Sequence, residues 1–152
     1  MQKNKTLLFI LCVGVTLLLG FLSGILNRNA INTFAATPAL STPGWLFPIV
    51  WTILYILMGT ALFLVLRFDP PNRKNVLIIY AAQLLVNITW PFLFFSLNAY
   101  FISFVWILLL WYLIYLMIKT FTPINKPAGY LLYPYLIWVT FASILTLSVL
   151  LG

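Results

Sequence analysis

The sequence predicts an all-α integral membrane protein, a bundle of five transmembrane helices. Three observations predict it. Of the 152 residues, 64% are hydrophobic and only 6% charged, whereas a soluble domain carries roughly 25% charged residues. The apolar residues gather into five runs, near 6–26, 45–66, 76–95, 101–118 and 130–151. Each can cross a hydrocarbon core of roughly 30 Å at about 1.5 Å per residue. The basic residues, finally, concentrate on alternate connections. No shift in composition marks a second unit, so 1–152 reads as one transmembrane domain.

The first run, 6–26, follows Lys3 and Lys5. It exceeds the apolar stretch of about 7–15 residues in a signal peptide and no small-residue cleavage site follows it, so it reads as a span. Residues 27–44 are rich in Ala, Thr, Ser, Asn and Pro. They are too polar to span and too many for a simple turn, and read as a long outer loop. The second run, 45–66, tolerates Pro48 because the proline falls in the first helical turn. A turn carrying Arg67, Asp69, Pro70, Pro71, Arg73 and Lys74 leads to the third run, 76–95. The link 96–100 is short, which makes the third and fourth helices antiparallel neighbours. The fourth run, 101–118, is followed by the loop 119–127, and the fifth, 130–151, reaches almost to the last residue.

Five crossings put Lys3, Lys5, Arg67, Arg73, Lys74, Lys119 and Lys126 on one side and only Arg28 on the other. By the positive-inside rule the N-terminus is expected inside and the 27–44 loop outside. The net charge of +7 then reads as a topology signal rather than as a nucleic-acid surface.

The absences exclude much chemistry. The chain has no histidine, no glutamate and one aspartate, Asp69 in a loop. Acid–base catalysis by imidazole or paired carboxylates lacks its parts, as do metal sites built from His, Cys and carboxylates. Proton-coupled transport relies on buried ionisable groups, and no span carries Asp, Glu or His. Cys12 is the lone cysteine, so no intrachain disulfide forms.

Aromatic and polar groups recur at helical spacing on three spans. Phe47, Trp51, Tyr55 and Met58 share a face of the second; Gln83, Asn87, Trp90 and Phe94 share one of the third; Trp138, Ala142 and Leu145 share one of the fifth, with Phe141 beside them. Pro91 cannot bond back to the carbonyl of Asn87, nor Pro134 to that of Tyr130. In lipid a freed carbonyl needs a neighbouring helix, a buried water or a ligand. Any one stripe also fits packing or an interfacial aromatic belt, and Gln83 and Asn87 also fit interhelical hydrogen bonding. Gly20 and Gly24 form a small-xxx-small pair that permits close helix approach.

The order of these residues resembles a known family. Pro38-Ala39-Leu40-Ser41-Thr42-Pro43-Gly44-Trp45-Leu46-Phe47-Pro48, with Trp51, Tyr55 and Gly59 beyond it, is similar to the first loop and second helix of the tryptophan-rich sensory protein / translocator protein (TspO/MBR) family. This is also called the peripheral benzodiazepine receptor family. Asn87, Trp90, Phe94 and Phe95 resemble its third-helix motif, and Pro134, Tyr135, Trp138, Phe141 and Ala142 its fifth-helix motif. Gly20 and Gly24 fit its first helix more loosely.

The resemblance implies a five-helix bundle, usually a homodimer, with a cavity capped by the first loop. Members bind porphyrins such as protoporphyrin IX and benzodiazepine- or isoquinoline-type drugs, and animal members bind cholesterol. Carried over, the cavity is lined by Phe47, Trp51, Tyr55, Asn87, Trp90, Trp138, Ala142 and Leu145, with Pro43 and Trp45 in its lid. Some bacterial members are associated with light- and oxygen-dependent porphyrin breakdown, attributed to two tryptophans that match Trp51 and Trp138. No cofactor or metal is expected, the porphyrin being ligand or substrate, and a bacterial cell membrane is the expected location. The loop departs from the family pattern at Ile31-Asn32, Leu40 and Thr42, leaving the lid less aromatic. No Lys or Arg follows Tyr135, so the fifth helix lacks a sterol-recognition pattern, although Leu113, Tyr115 and Lys119 form one on the fourth. A carrier or sensor that moves or exchanges porphyrin or lipid is the alternative. A coupled carrier is disfavoured by the absence of coupling residues and of inverted repeats.

Overall fold

The computed structural model describes residues 2–35 and 46–152, and their side chains other than those of 2, 3, 32, 34, 35, 46 and 47. The elements are α1 (Gln2–Leu26), α2 (Arg28–Ala35), α3 (Leu46–Leu66), α4 (Arg73–Pro91) running into a π-helical turn (Phe92–Ser96), α5 (Tyr100–Phe121), α6 (Lys126–Leu131) and α7 (Tyr133–Leu151). Among the described residues, five stretches are long and apolar enough to cross a bilayer: Asn4–Leu26, Pro48–Leu66, Arg73–Ser96, Tyr100–Phe121 and Lys126–Leu151. The outer faces are as apolar as the core. Leu18, Ile25, Ile137 and Ile144 are each at least 64% exposed, which lipid accommodates and water would not. The protein is an integral membrane bundle.

Three local features differ from the sequence-based expectation, each for a physical reason. The long outer loop begins with a helix. Asn27 donates its backbone N–H (3.1 Å) and its Nδ2 (2.8 Å) to the carbonyl of Ser23, while its own carbonyl accepts from Ile31 N–H at 2.9 Å. Asn27 thus joins α2 directly to α1, although Asn27, Asn29 and Asn32 are individually weak helix formers. The third span ends in a π turn because Pro91 has no N–H to continue the α ladder. There Leu97 N–H reaches Phe92 O at 2.9 Å and Ala99 N–H reaches Leu93 O at 2.9 Å. The fifth span is two helices. Asn125 caps α6 by accepting from Ala128 N–H at 3.0 Å, and Pro134 in the first turn of α7 cannot extend the α6 ladder.

Around Pro91 the α4 backbone is bonded by its own turn and by α1 and α5. Phe92 N–H bonds Thr89 O, and the Ile88 carbonyl one residue earlier accepts from Ser23 Oγ of α1 at 2.6 Å. Trp106 of α5 donates Nε1 to Val86 O at 3.1 Å and to Thr89 Oγ1 at 2.9 Å. Such bonds replace the water that lipid cannot supply.

α1 packs chiefly against α3, and α5 against α4 and α7. Gly59 makes the first contact possible: a Cβ there would lie 2.6 Å from Val13 Cα. Met58, Ala61 and Val65 of α3, Ile107, Ile114 and Met117 of α5 and Val139 of α7 fill the interior without exposure.

Candidate ligand cavity

At the end of the bundle away from the N-terminus, α1, α3 and α4 separate around a cavity of ≈ 260 Å³. Small residues open it. Gly20, Ser23 and Gly24 line the α1 side at the i, i+3, i+4 spacing of one helix face, and a Cβ on Gly24 would meet nothing within 4 Å. Phe21, Ile25 and, from α2, Ile31 add apolar wall.

The opposite wall comes from α3 and α4. Trp51 and Tyr55 stand one turn apart with ring centroids 5.8 Å apart, and Pro48 and Thr52 complete their side. Trp90 and Phe95 close the α4 side. Trp90 stacks on Phe94 at 4.8 Å, and its Nε1 donates to Ser103 O at 3.2 Å. That bond ties its polar edge to α5 and leaves its ring as wall.

Below the wall runs a buried chain of hydrogen bonds across three helices. Tyr55 Oη donates to Asn87 Oδ1 (2.8 Å), Asn87 Nδ2 donates to Tyr135 Oη (2.6 Å), and Tyr135 Oη donates to Gln83 Oε1 (2.8 Å). Tyr135 and Gln83 are fully buried. Among the described residues Gln83 Nε2 has no partner. A second buried contact, between the hydroxyls of Thr16 and Tyr80, joins α1 to α4 deeper in the bundle.

Charge enters once. Arg28, exposed at the mouth, has no acidic side chain to pair with. The only one in the chain, Asp69, meets Arg73 at 3.4 Å in the 67–74 turn.

The structure places the expected site residues as follows. Trp51, Tyr55, Asn87 and Trp90 come together in one wall. Trp138 lies outside that wall but against it, its ring edge-on to Trp51 with centroids 6.4 Å apart. Ala142 is buried and Leu145 half-buried on α7, and neither lines the cavity. The reason is that α7 packs on α5, while the hollow lies between α1, α3 and α4. Pro43 and Trp45 fall outside the described residues, as does the side chain of Phe47, whose backbone sits in the first turn of α3. Asn87 has both ends of its amide engaged by tyrosines rather than free for a ligand edge. Sequence reasoning missed the α1 wall and Tyr135. The Gly20, Ser23, Gly24 spacing was the available signal for the first. The bonding role of Tyr135 left none, since a tyrosine in a span is equally a belt residue.

The class is set by five membrane-crossing helices, three of which enclose an aromatic cavity with the cation Arg28 at its mouth. The chain belongs to the TspO/MBR family, whose model matches residues 12–151. It is 40% identical to the "Tryptophan-rich protein TspO" of Chlorobaculum tepidum over 97% of both chains. It is 34% identical to "Protein CrtK" of Rhodobacter capsulatus over 91% of this chain and 84% of the relative. It is 32% identical to the "Translocator protein" of Ovis aries over 71% of this chain and 66% of the relative.

Proposed function

We propose that this protein is a membrane receptor for porphyrin-type tetrapyrroles such as protoporphyrin IX. The observation that carries the reading is the pairing of an aromatic wall, Trp51, Tyr55, Trp90 and Phe95, with Arg28 at the mouth. A porphyrin has a broad aromatic face and carboxylate tails. The face stacks on the rings and a carboxylate pairs with the guanidinium. The hollow lies just under the roughly 300–1,000 Å³ of ordinary small-molecule sites, so the macrocycle enters by one edge with its tails left at the mouth. The protein sits in a bacterial cell membrane with its N-terminus inside, as the seven-to-one split of basic residues favours, and works as a homodimer.

Titration with protoporphyrin IX in the dark, followed by tryptophan quenching, tests the reading. Saturable quenching is expected; its absence overturns it.

The Trp51–Trp138 contact favours a second, chemical reading. In it the excited bound porphyrin takes an electron from the Trp51 indole, with Trp138 against it, and passes the electron to oxygen, and the indole radical attacks the macrocycle. The translocator name borne by the ovine relative favours exchange of the ligand across the bilayer instead. Flux into sealed vesicles, with and without a gradient, separates a carrier from a binder.

A further inference from the structure

We infer that Gln83, which does not line the cavity, decides whether the Tyr55 hydroxyl offers a ligand a lone pair or a proton. The inference goes beyond the reading above and rests only on the cavity being a ligand site, because the edge of protoporphyrin IX remote from its carboxylates carries methyl and vinyl groups and its N–H groups point to the ring centre. It follows from the direction of the buried chain of bonds. With Gln83 turned so that Oε1 faces Tyr135, Tyr135 donates toward Gln83 and accepts from Asn87. Asn87 therefore turns Nδ2 to Tyr135 and Oδ1 to Tyr55, and Tyr55 spends its proton on Asn87. What remains of Tyr55 for the cavity is an acceptor.

The other wall hydroxyls are in the same state. Ser23 donates to Ile88 O at 2.6 Å and Thr52 to Pro48 O at 2.6 Å. The hydroxyl wall thus suits a flat aromatic ligand that carries an N–H or O–H donor on its inner edge and an anion at the Arg28 end. A ligand that brings only a carbonyl to Tyr55 sets lone pair against lone pair.

The chain is reversible in principle, because each member can both donate and accept, the amides by turning end for end. Gln83 sits at its far end, and Tyr135 is the only side-chain hydrogen-bond partner it has among the described residues. Without the Gln83 amide, the Tyr135 proton loses its acceptor. A buried unmet donor is costly, and the nearest remedy is Asn87 turned end for end, accepting from Tyr135 and donating to Tyr55. The Tyr55 proton is then released into the cavity. Gln83 is a positioning residue in this scheme, and its signature is a change of ligand preference rather than a uniform loss of binding.

Two flat tricycles of similar size test it: carbazole, which carries an edge N–H, and fluorenone, which carries an edge carbonyl. Their binding to the detergent-solubilised full chain is measured by equilibrium dialysis, beside protoporphyrin IX. Gln83→Leu is expected to shift the carbazole-to-fluorenone affinity ratio about tenfold toward fluorenone, the scale of one hydrogen bond gained or lost. Tyr135→Phe, which cuts the chain one link nearer the cavity, shifts it in the same direction by less, and carries the test if Gln83→Leu does not fold. An unchanged ratio overturns the inference. So does a protein that binds protoporphyrin but neither tricycle, since Tyr55 is then no ligand contact. The expected shift without protoporphyrin binding leaves the inference standing and removes the tetrapyrrole reading.

Discussion

Trp51 and Trp138 meet edge to face with their centroids 6.4 Å apart, yet only Trp51 belongs to the cavity wall. The two indoles are therefore not equivalent. Trp51 can touch a ligand, and Trp138 supports it from behind while touching Phe141 at 5.3 Å.

This asymmetry separates binding from photochemistry. Trp51→Phe is expected to weaken dark binding of protoporphyrin IX by roughly three- to tenfold, the scale of one aromatic contact. Trp138→Phe leaves dark binding within about twofold. If the indole pair is the photo-oxidised group, the double variant loses light-dependent bleaching of porphyrin absorbance. Bleaching that persists in the double variant removes the tryptophan mechanism.

Arg28 carries the anion-binding part of the site. Arg28→Gln is expected to lower protoporphyrin affinity by roughly fivefold, in keeping with about 1 kcal/mol for an exposed ion pair. Binding of the porphyrin dimethyl ester, which has no carboxylate, stays unchanged. Equal losses for both ligands would show that Arg28 acts through packing.

Gly20 and Gly24 lie one turn apart in the same wall but meet different surroundings. A Cβ on Gly20 would run into the ring of Tyr55, whereas one on Gly24 would enter open space. Gly20→Ala must displace a buried tyrosine that is bonded to Asn87, and is expected to destabilise the protein by about 1–3 kcal/mol. Gly24→Ala leaves the thermal midpoint in detergent nearly unchanged and reduces ligand affinity by narrowing the hollow. Equal midpoints for the two variants would refute this packing of α1 on α3.

The orientation is open to direct labelling. With Cys12→Ser as background, a cysteine placed at Asn29 is expected to react with a membrane-impermeant maleimide added to intact cells. One placed at Lys126 reacts only after the cells are opened. The reverse pattern would overturn the N-terminus-inside topology.

The bundle itself was legible in the sequence. In a solvent without hydrogen-bonding groups a chain must satisfy its own backbone, and long apolar runs then have one regular solution. Five such runs, with prolines and a basic turn between them, announce the spans whatever their neighbours do. The donor missing at Pro91 was legible for the same local reason, but the π turn that follows it, Phe92–Ser96, was not. Helix α2 was not, because it depends on Asn27, which Ser96 of the distant π turn holds by donating to its Oδ1 at 2.5 Å.

The site was legible in its ingredients and not in its assembly. Trp51, Tyr55, Asn87 and Trp90 stood out by spacing, but spacing along one helix does not say which helix faces it. The close approach at Gly59 brings α1 rather than α7 to the cavity side of α3. The direction of the Tyr55–Asn87–Tyr135–Gln83 bonds is likewise a property of three helices together. Each of those side chains can donate or accept alone, and only their mutual placement decides which does which.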